Sequence, residues 1–508
     1  MIKMFEKILM MAIFFIITIS IGVYCHRHTT NVNGFVLGGR NVGPWLSAFA
    51  YGTSYFSSVV FVGYAGQFGW NFGLSAIWIG IGNALIGSLL AWVVLGRRTR
   101  IMTKHYETAT MPDFFAKRYN CPALKTIASV IIFLFLVPYS ASVYKGLSGL
   151  FAMTFNIDFT WCVLGVALLT GIYVVLGGYM AAALNDLVQG IIMIAGIICV
   201  IFSVLSGKGG FTSAIQQLSH IESPIAPNLS GALVSFFGPD PLGLLGVVVL
   251  TSLGTWGLPQ MVHKFYTIKD EKSIYAGTII STVFAMIIAG GSYAMGAFGR
   301  LYYTPSGNVV FDDIVPSMLS QSLPDILIGV VLILVLSASM STLSALVITS
   351  SSTMVIDFLR PFFPNFVKNG RQMPLIRIFC AFFVLLSLII ALSPNSLITT
   401  LMSLSWGALA GAFLGPFVYG LFWKKASTAS VWASFIIGIG ITVWNFLLPF
   451  APPTLAGAIA ILSSLVVVPV VSLVTPQLSA ERIEDAFACY DQKVVSRSKF
   501  VLADEDEQ

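Results

Sequence analysis

Hydroxyl side chains crowd the centre of one long apolar segment, residues 324–357. The segment contains Ser337, Ser339, Ser341, Thr342 and Ser344. Neutral hydroxyls and backbone carbonyls are suitable ligands for a hard cation such as sodium, because they supply oxygen without burying a full charge. Serines also hydrogen-bond the carbonyl four residues earlier in their own helix, and the sequence alone leaves both interpretations open. The adjacent hydroxyls of Ser341 and Thr342 are the best candidates for cation ligands.

Two other apolar segments contain residues that interrupt helices. Residues 44–58 carry glycine, serine and threonine where a simple lipid anchor would carry leucine and isoleucine. Residues 254–259 read Gly-Thr-Trp-Gly-Leu-Pro, with two glycines and a proline in a short span. Interrupted helices free carbonyls for ion binding, and inverted-repeat transporters place them at matching positions in two halves. Small residues also permit close helix packing, which is the alternative. These are the second and seventh apolar segments of the chain, so their positions differ by five. This spacing favours two repeats of five helices each.

Asp186 and Lys145 are ionisable residues in apolar segments, where a charge is costly and usually functional. Asp186 begins the sixth segment. It is a candidate for lining an exit path or carrying a proton, and equally for capping the helix N-terminus. Lys145 lies inside the fourth segment. It is a candidate partner for a carboxylate or an anionic solute, or it extends to the outer interface.

The elements that position these residues are membrane helices. The 508 residues are 57% hydrophobic and 9% charged, whereas soluble domains carry about 25% charged residues. Long apolar runs without strict alternation indicate helices and not a β-barrel. We therefore predict an all-α integral membrane protein of about thirteen transmembrane helices. The apolar segments are 5–25, 44–68, 74–96, 124–154, 158–177, 183–206, 240–262, 274–299, 324–357, 375–393, 396–422, 428–449 and 454–475.

Lysines and arginines are concentrated in every second loop, which places them on one side of the predicted bundle. The loop 97–125 carries seven of them, and the loops on the opposite side are nearly bare. The positive-inside rule then predicts an N-terminus outside and a C-terminus in the cytoplasm. The six cysteines form no CxxC pair, which argues against a metal cluster or a disulfide framework.

The predicted organisation has four parts. Residues 1–40 form a first helix and a cytoplasmic loop, and residues 41–423 form a ten-helix core. Residues 424–477 add two further helices, and residues 478–508 form a polar cytosolic tail. The expected partners are a small solute and the lipid bilayer, without nucleic acid, and the oligomeric state is left open.

Four motifs resemble those of the sodium:solute symporter family, over about residues 38–475. Gly177-Gly178 through Asn185-Asp186 to Gln189 is similar to a family signature, and Met340-Ser341-Thr342-Leu343-Ser344 resembles proline permease most. Gly38-Gly39-Arg40 and Gly415-Pro416 are also typical of the family. The resemblance implies the leucine-transporter type of fold, with a ten-helix core in two inverted repeats of five.

The resemblance also implies a principal sodium site. Its ligands would be the carbonyls of Thr53, Phe56 and Ala338 and the hydroxyls of Ser341 and Thr342.

A second sodium site, known in the sialic-acid branch, would match Asp186, Ser341 and Ser344. Ala345 stands where that branch has another serine. The same Asp186 would instead carry a proton in a proton-coupled relative. Tyr55 occupies the position of an aspartate in proline permease.

Solute contacts are expected from Tyr139, Thr255 and Trp256. The resulting prediction is a sodium-coupled symporter of a bacterial inner membrane, with Na⁺ as the coupling ion and no enzymatic activity. An amino acid or small carboxylate is favoured as the solute, because Lys145 suits an anion. The alternatives are a proton-coupled or sodium-independent permease of the same fold, or a sugar-type solute.

Overall fold

The computed structural model describes residues 2–28, 32–305, 308–367, 371–393, 397–491 and 493–494. Within these ranges the chain is almost entirely helical, and its only β pairing is an isolated parallel bridge between Val42 and Ile268. The first helices are α1 (Ile2–His28), α2 (Val32–Leu37), α3 (Pro44–Tyr55), α4 (Ala65–Phe72), α5 (Ile77–Gly82), α6 (Arg97–His105), α7 (Met111–Arg118), α8 (Pro122–Phe155), α9 (Phe159–Ser206) and α10 (Phe211–Ser219).

The remaining helices repeat this pattern of long and short elements. They are α11 (Pro241–Leu253), α12 (Pro259–Tyr266), α13 (Glu271–Ala285), α14 (Gly291–Ala297), α15 (Phe311–Ser322), α16 (Asp325–Thr353), α17 (Arg360–Phe362), α18 (Pro364–Val367), α19 (Gln372–Ala391), α20 (Ile398–Phe422), α21 (Thr428–Leu447), α22 (Pro453–Val474) and α23 (Ala480–Ala488). Turns of π-helix extend several of them, at Val59–Tyr64, Asn83–Leu90, Trp92–Gly96, Met286–Gly290 and Met354–Leu359.

By length and composition, ten helices of the described chain can cross a membrane, or eleven if one bent pair counts as a span. The predicted all-α membrane class is confirmed, but the count of thirteen is not. One difference lies in the segment 44–68, where α3 ends at Tyr55 and helix resumes at Val59. Another lies at Gly178, where α9 turns, so that the predicted segments 158–177 and 183–206 belong to one bent helix. Interrupted helices are shorter than the span that the length rule requires.

α9 changes direction at Gly178, whose backbone has a conformation that favours glycine. Its φ is 63° and its ψ is −170°, in the middle of an otherwise helical stretch. A Cβ atom at this position would lie 2.7 Å from Cδ2 of Phe35. Both the positive φ and the close packing therefore require the absence of a side chain. The second glycine of the Gly177-Gly178 motif has a structural role of its own.

The second interrupted helix bends where the sequence places its glycine and proline. α11 continues as a 3-10 turn to Trp256, and α12 begins at Pro259 after the extended residue Leu258, with an angle of 40° between the two parts. Beyond α12, the Val42 amide donates to the Thr267 carbonyl at 3.1 Å. The start of the first interrupted helix is thus joined to the end of the second.

Three long helices form the centre of the bundle. In the apolar part of α20, 89% of the residues are buried inside the protein, and the share is 78% for α16 and 72% for α8. In α1 only 22% are buried. A span that is apolar on all sides and covered by protein belongs to the interior, and one that is uncovered faces lipid. The predicted cation ligands on α16 therefore lie in the protein interior.

The C-terminal segment packs against α6 and the end of α20. The Tyr490 hydroxyl donates to the Leu421 carbonyl at 2.8 Å, and Arg97 donates to the Tyr490 carbonyl at 3.3 Å. Asp485 lies 3.4 Å from His105. The predicted helix in the polar tail is observed as α23, and residues 495–508 lie outside the described part.

Candidate functional site

The first interruption exposes backbone oxygens in the interior. α3 ends at Tyr55, and Phe56 follows in an extended conformation with φ −112° and ψ 104°. The last carbonyls of a helix have no partner within that helix. Those of Thr53, Ser54 and Phe56 therefore have no helical hydrogen bond, and all three residues are buried.

Thr342 on α16 meets these oxygens directly. Its hydroxyl oxygen lies 3.1 Å from the Ala338 carbonyl, 3.2 Å from the Ser54 carbonyl and 3.4 Å from the Thr53 carbonyl. A cation about 2.3–2.6 Å from its oxygens, as found for Ca²⁺, needs neighbouring ligands about 3.3–3.7 Å apart. Because Na⁺ is close to Ca²⁺ in size, a small outward movement of these oxygens makes room for a sodium ion.

Ser341 completes the contact between the two helices. Its hydroxyl donates to the Thr53 hydroxyl at 2.7 Å, and Thr53 donates onward to the Phe49 carbonyl at 2.7 Å. Both hydroxyls have therefore given their hydrogen to another oxygen, and their lone pairs are available to a cation. The structure brings Thr53, Ala338, Ser341 and Thr342 together as the sequence predicted. The Phe56 carbonyl belongs to the same break.

Asp186 lies beside this group on α9 and is completely buried. Its Oδ2 is 3.8 Å from Nζ of Lys264 on α12, whose side chain is 4% exposed. Neither carboxylate oxygen has a hydrogen-bond partner among the described residues. The Ser344 hydroxyl is near and donates to the Ser341 carbonyl at 2.8 Å. This ion pair could not be predicted from the sequence, because Lys264 is 78 residues from Asp186 and no motif links the two.

The buried rings of Tyr55, Phe56, Tyr139 and Trp406 pack together as a second group of side chains, which is called the aromatic pocket below. The Tyr55 and Phe56 rings stack with centroids 4.3 Å apart, and Tyr139 meets Trp406 edge to face at 5.8 Å. The Tyr139 hydroxyl lies close to the Trp406 indole nitrogen, and neither forms a hydrogen bond of good geometry with a described residue. Buried polar groups normally find partners, so these two are available to a solute.

Two further polar groups adjoin the aromatic pocket. The Tyr64 hydroxyl and the Ser403 hydroxyl face one another and also find no hydrogen-bond partner in the described ranges. The sequence analysis did not single out Trp406, Tyr64 or Ser403. Their segments are far apart in the chain, and neither spacing nor composition distinguishes them from packing residues.

The other two predicted solute residues point elsewhere. Trp256 donates its indole hydrogen to the Ile86 carbonyl at 3.0 Å. Thr255 donates to the Ser252 carbonyl at 2.8 Å, with the Gly87 carbonyl at 3.3 Å. The structure therefore uses both side chains to join the second interrupted helix to the neighbouring helical turn at Asn83–Leu90.

Lys145 is committed to a contact near the end of α19. Its Nζ donates to the Ser393 carbonyl at 2.5 Å. Asp312 on α15 is close enough to act on its charge, and accepts a hydrogen bond from the Ile398 amide at 3.4 Å. Lys145 lies nearly two turns along α8 from Tyr139, and it connects three elements at one end of the bundle.

Two interrupted helices that face hydroxyls on a central helix define a membrane transporter of the leucine-transporter type. The structure of a Na⁺-coupled sialic acid symporter, in its substrate-bound outward-open state, superposes with a TM-score of 0.75 at 17% identity, over 93% of this chain and 99% of that one. A sequence model of the sodium:solute symporter family matches residues 35–438. The chain belongs to this family, whose members are transporters and not enzymes.

Curated relatives agree with this assignment over nearly their whole length. The osmoregulated proline transporter OpuE of Bacillus subtilis (strain 168) is 28% identical over 451 residues, covering 86% of this chain and 88% of the relative. The sodium/pantothenate symporter of Haemophilus influenzae is 29% identical over 414 residues, covering 80% and 82%. Crystal structures of the amino-acid-bound protein MhsT share the fold, with a TM-score of 0.54 at 13% identity.

Proposed function

We propose that this symporter imports an amino acid or a small carboxylate, with sodium bound where α3 is interrupted against α16. The ligands are the carbonyls of Thr53, Phe56 and Ala338 and the hydroxyls of Ser341 and Thr342. The ten-helix core at 41–423 carries this site. In this proposal the protein is a bacterial inner-membrane transporter whose N-terminus faces out and whose C-terminus is cytoplasmic.

The observation that supports the sodium site most is the position of the Thr342 hydroxyl. Three backbone carbonyls from two helices lie 3.1–3.4 Å from it. No side-chain carboxylate is needed there, because neutral oxygens satisfy a monovalent cation without burying a net negative charge. Since α3 and α16 both contribute ligands, bound sodium would hold the two helices together.

The aromatic pocket supports the choice of solute class. The Tyr139 hydroxyl and the Trp406 indole are hydrogen-bond donors that suit carboxylate oxygens, and the Tyr55 and Phe56 rings provide an apolar wall. The named solutes of the relatives, proline and pantothenate, both contain a carboxylate. A sugar-type solute is the alternative, because hydroxyl groups also accept hydrogen bonds from these donors.

Coupling follows from the arrangement of the two sites. Phe56 contributes its carbonyl to the proposed sodium site and its ring to the aromatic pocket. An ion that fixes this residue also fixes one wall of the pocket, so sodium and solute stabilise the same conformation. Each ligand must then raise the affinity for the other by the same factor.

The sodium site is tested by the double variant Ser341→Ala/Thr342→Ala in proteoliposomes. We expect solute uptake to lose its stimulation by an inward sodium gradient, because two ligands are removed. Ser339→Ala is the matched control, since Ser339 is buried on the same helix but donates to its own Val335 carbonyl at 2.7 Å. Uptake that keeps its sodium dependence in the double variant would refute the site.

The solute class is tested by uptake of labelled amino acids, carboxylates and sugars, with and without a sodium gradient. Sodium-stimulated uptake of one class identifies the solute. The rival is a proton-coupled permease in which Asp186 carries the proton, since its carboxylate is buried without a hydrogen bond among the described residues. Uptake that ignores sodium and follows a proton gradient would favour that rival.

A further inference from the structure

A buried ion pair lies next to the proposed sodium site. Nζ of Lys264 is 3.8 Å from Oδ2 of Asp186, and their side chains are 4% and 0% exposed. A charge inside a membrane protein is costly unless a partner compensates it. Each member of this pair therefore depends on the other for its burial.

The surroundings of Asp186 are those of a cation site. Its two oxygens receive no hydrogen bond from any described residue, and the hydroxyls of Thr53 and Ser341 face the carboxylate. Each of these hydroxyls donates its hydrogen to a different oxygen. Thr53, Ser341 and the carboxylate thus bring several oxygen atoms to one place, and the Lys264 ammonium lies 3.8 Å from the carboxylate. Such a set of oxygens repels itself unless a positive charge sits among it.

Lys264 brings that positive charge from a third element. It lies on α12, the half-helix after the second interruption, whereas Asp186 is on α9 and Ser341 on α16. An ammonium group carries the same single charge as a sodium ion. A free sodium ion at Asp186 would lie within a few ångströms of this ammonium, where like charges repel strongly because little water screens them.

We propose that the ammonium of Lys264 takes the place of a second sodium ion at Asp186, so that one sodium ion moves with each solute molecule. The inference rests on the proposed sodium coupling, because it concerns how many ions bind and not whether they bind. It assigns Lys264 as a residue that determines coupling stoichiometry.

The test counts sodium ions on the purified full-length protein without solute, by titrating tryptophan fluorescence with sodium chloride against choline chloride. We expect a Hill coefficient of about 1 for the wild type and above 1, approaching about 2, for Lys264→Gln. The double variant Lys264→Gln/Asp186→Asn should return to about 1. Lys145→Gln is the matched control, since it removes another buried lysine away from Asp186 and should leave the count unchanged.

A second measurement covers the case in which Lys264→Gln does not fold. Asp186→Asn keeps the size of the side chain, and the inference predicts that it leaves the number of bound sodium ions at one. Loss of an ion in Asp186→Asn would overturn the inference, as would a wild-type count of two or a folded Lys264→Gln with one ion. The charge moved per solute in voltage-clamped proteoliposomes should agree, with one charge per neutral solute in the wild type.

Failure of the inference can be distinguished from failure of the proposed function. If the wild-type protein binds two sodium ions and the Ser341→Ala/Thr342→Ala variant loses sodium dependence, the protein is a sodium symporter. In that case the Lys264 ammonium does not replace a sodium ion at Asp186. A wild-type protein whose fluorescence and uptake ignore sodium refutes both.

Discussion

The Tyr55 hydroxyl donates a 2.6 Å hydrogen bond to the Thr251 carbonyl. Tyr55 is the last residue of α3, and Thr251 lies one turn before the bend of the second interrupted helix. The two interrupted helices are therefore joined directly beside the aromatic pocket.

Tyr55→Phe should weaken sodium activation of uptake. The substitution removes the hydrogen bond and leaves a buried carbonyl without its donor, at a cost of about 1 kcal/mol. Because Tyr55 adjoins the carbonyls of the sodium site, we expect the sodium concentration for half-maximal uptake to rise several-fold. The measurement is uptake against sodium concentration at fixed solute.

Tyr51→Phe is the control for that variant. Tyr51 is also buried on α3 and donates a 2.6 Å bond, but to the Gly87 carbonyl. It should lose a similar amount of stability with little change in sodium activation. Equal sodium effects in both variants would show that α3 stability, and not the contact between interrupted helices, controls sodium affinity.

Trp406→Phe should raise the KM for solute and leave the sodium requirement in place. The phenylalanine keeps an aromatic surface but lacks the indole hydrogen that is free to bind a solute, and one lost hydrogen bond to a charged group costs about 1.5–3 kcal/mol. That corresponds to a rise in KM of roughly 10- to 150-fold. Initial rates over a range of solute concentrations measure it.

Trp256→Phe is the matched tryptophan variant. Its indole donates to the Ile86 carbonyl and not into the aromatic pocket. We expect lower stability with a KM close to that of the wild type. A larger KM effect from Trp256→Phe than from Trp406→Phe would place the solute at the second interruption instead.

Gly178→Ala should destabilise the protein, because the alanine must adopt a φ of 63° and its Cβ would lie 2.7 Å from Phe35. This combination of φ and ψ is essentially restricted to glycine, and another residue held there is strained by about 1–3 kcal/mol. Gly165→Ala on the same helix meets no atom within 4 Å and should be neutral or stabilising by up to about 1 kcal/mol. Thermal unfolding in detergent compares the two variants, and equal melting temperatures would contradict the role given to Gly178.

Asp312 should make stability depend on pH. It lies on α15, outside the apolar spans, and burial raises the pKa of its carboxyl group to about 6, against the opposing effects of the Ile398 amide and the Lys145 charge. A carboxyl group whose pKa is raised in the folded state does not lower the free energy of unfolding below about pH 4, where it is protonated in both states. It lowers that free energy by its full amount above about pH 6, where it is ionised in both states. Ionised Asp312 therefore destabilises the fold at neutral pH.

Asp312→Asn should accordingly raise the free energy of unfolding at pH 7.5 by up to about 3 kcal/mol. It should change that free energy little at pH 4.5. Asp313→Asn is the neighbouring control, because Asp313 is less buried and should show a smaller difference. A stability gain that is the same at both pH values would contradict this origin.

The interrupted helices could be predicted from the sequence, because a break in a membrane helix requires residues that do not continue a regular helix. Glycine and proline at 254–259 cannot continue a regular helix, and the hydroxyl pair Ser341 and Thr342 is unusual in an apolar span. The structure bends at 254–259, and it brings the two hydroxyls to the end of α3, whereas their binding of sodium stays a prediction. The number of spans could not be obtained in the same way, because helices that break at Tyr55 or turn at Gly178 do not satisfy a rule based on uninterrupted length.

Side-chain direction was beyond what the sequence could predict. Trp256 and Trp406 are both tryptophans in apolar segments, yet one indole is bound to Ile86 and the other is free in the aromatic pocket. Likewise Lys264 follows a proline by only five residues and looks like a loop charge. Its contact with Asp186 depends on how α12 packs against α9, which no local pattern encodes.

The packing of Tyr490 has a consequence for biosynthesis. Tyr490 binds Arg97, which precedes it by 393 residues in the chain. At synthesis rates of about 5–20 residues per second, Arg97 leaves the ribosome roughly 20–80 s before its partner exists. During that interval the membrane helices can insert and pack, but the face that Tyr490 covers stays incomplete. A nascent chain stalled before this residue should therefore be cleaved by proteases near Arg97, and the finished chain should be protected there.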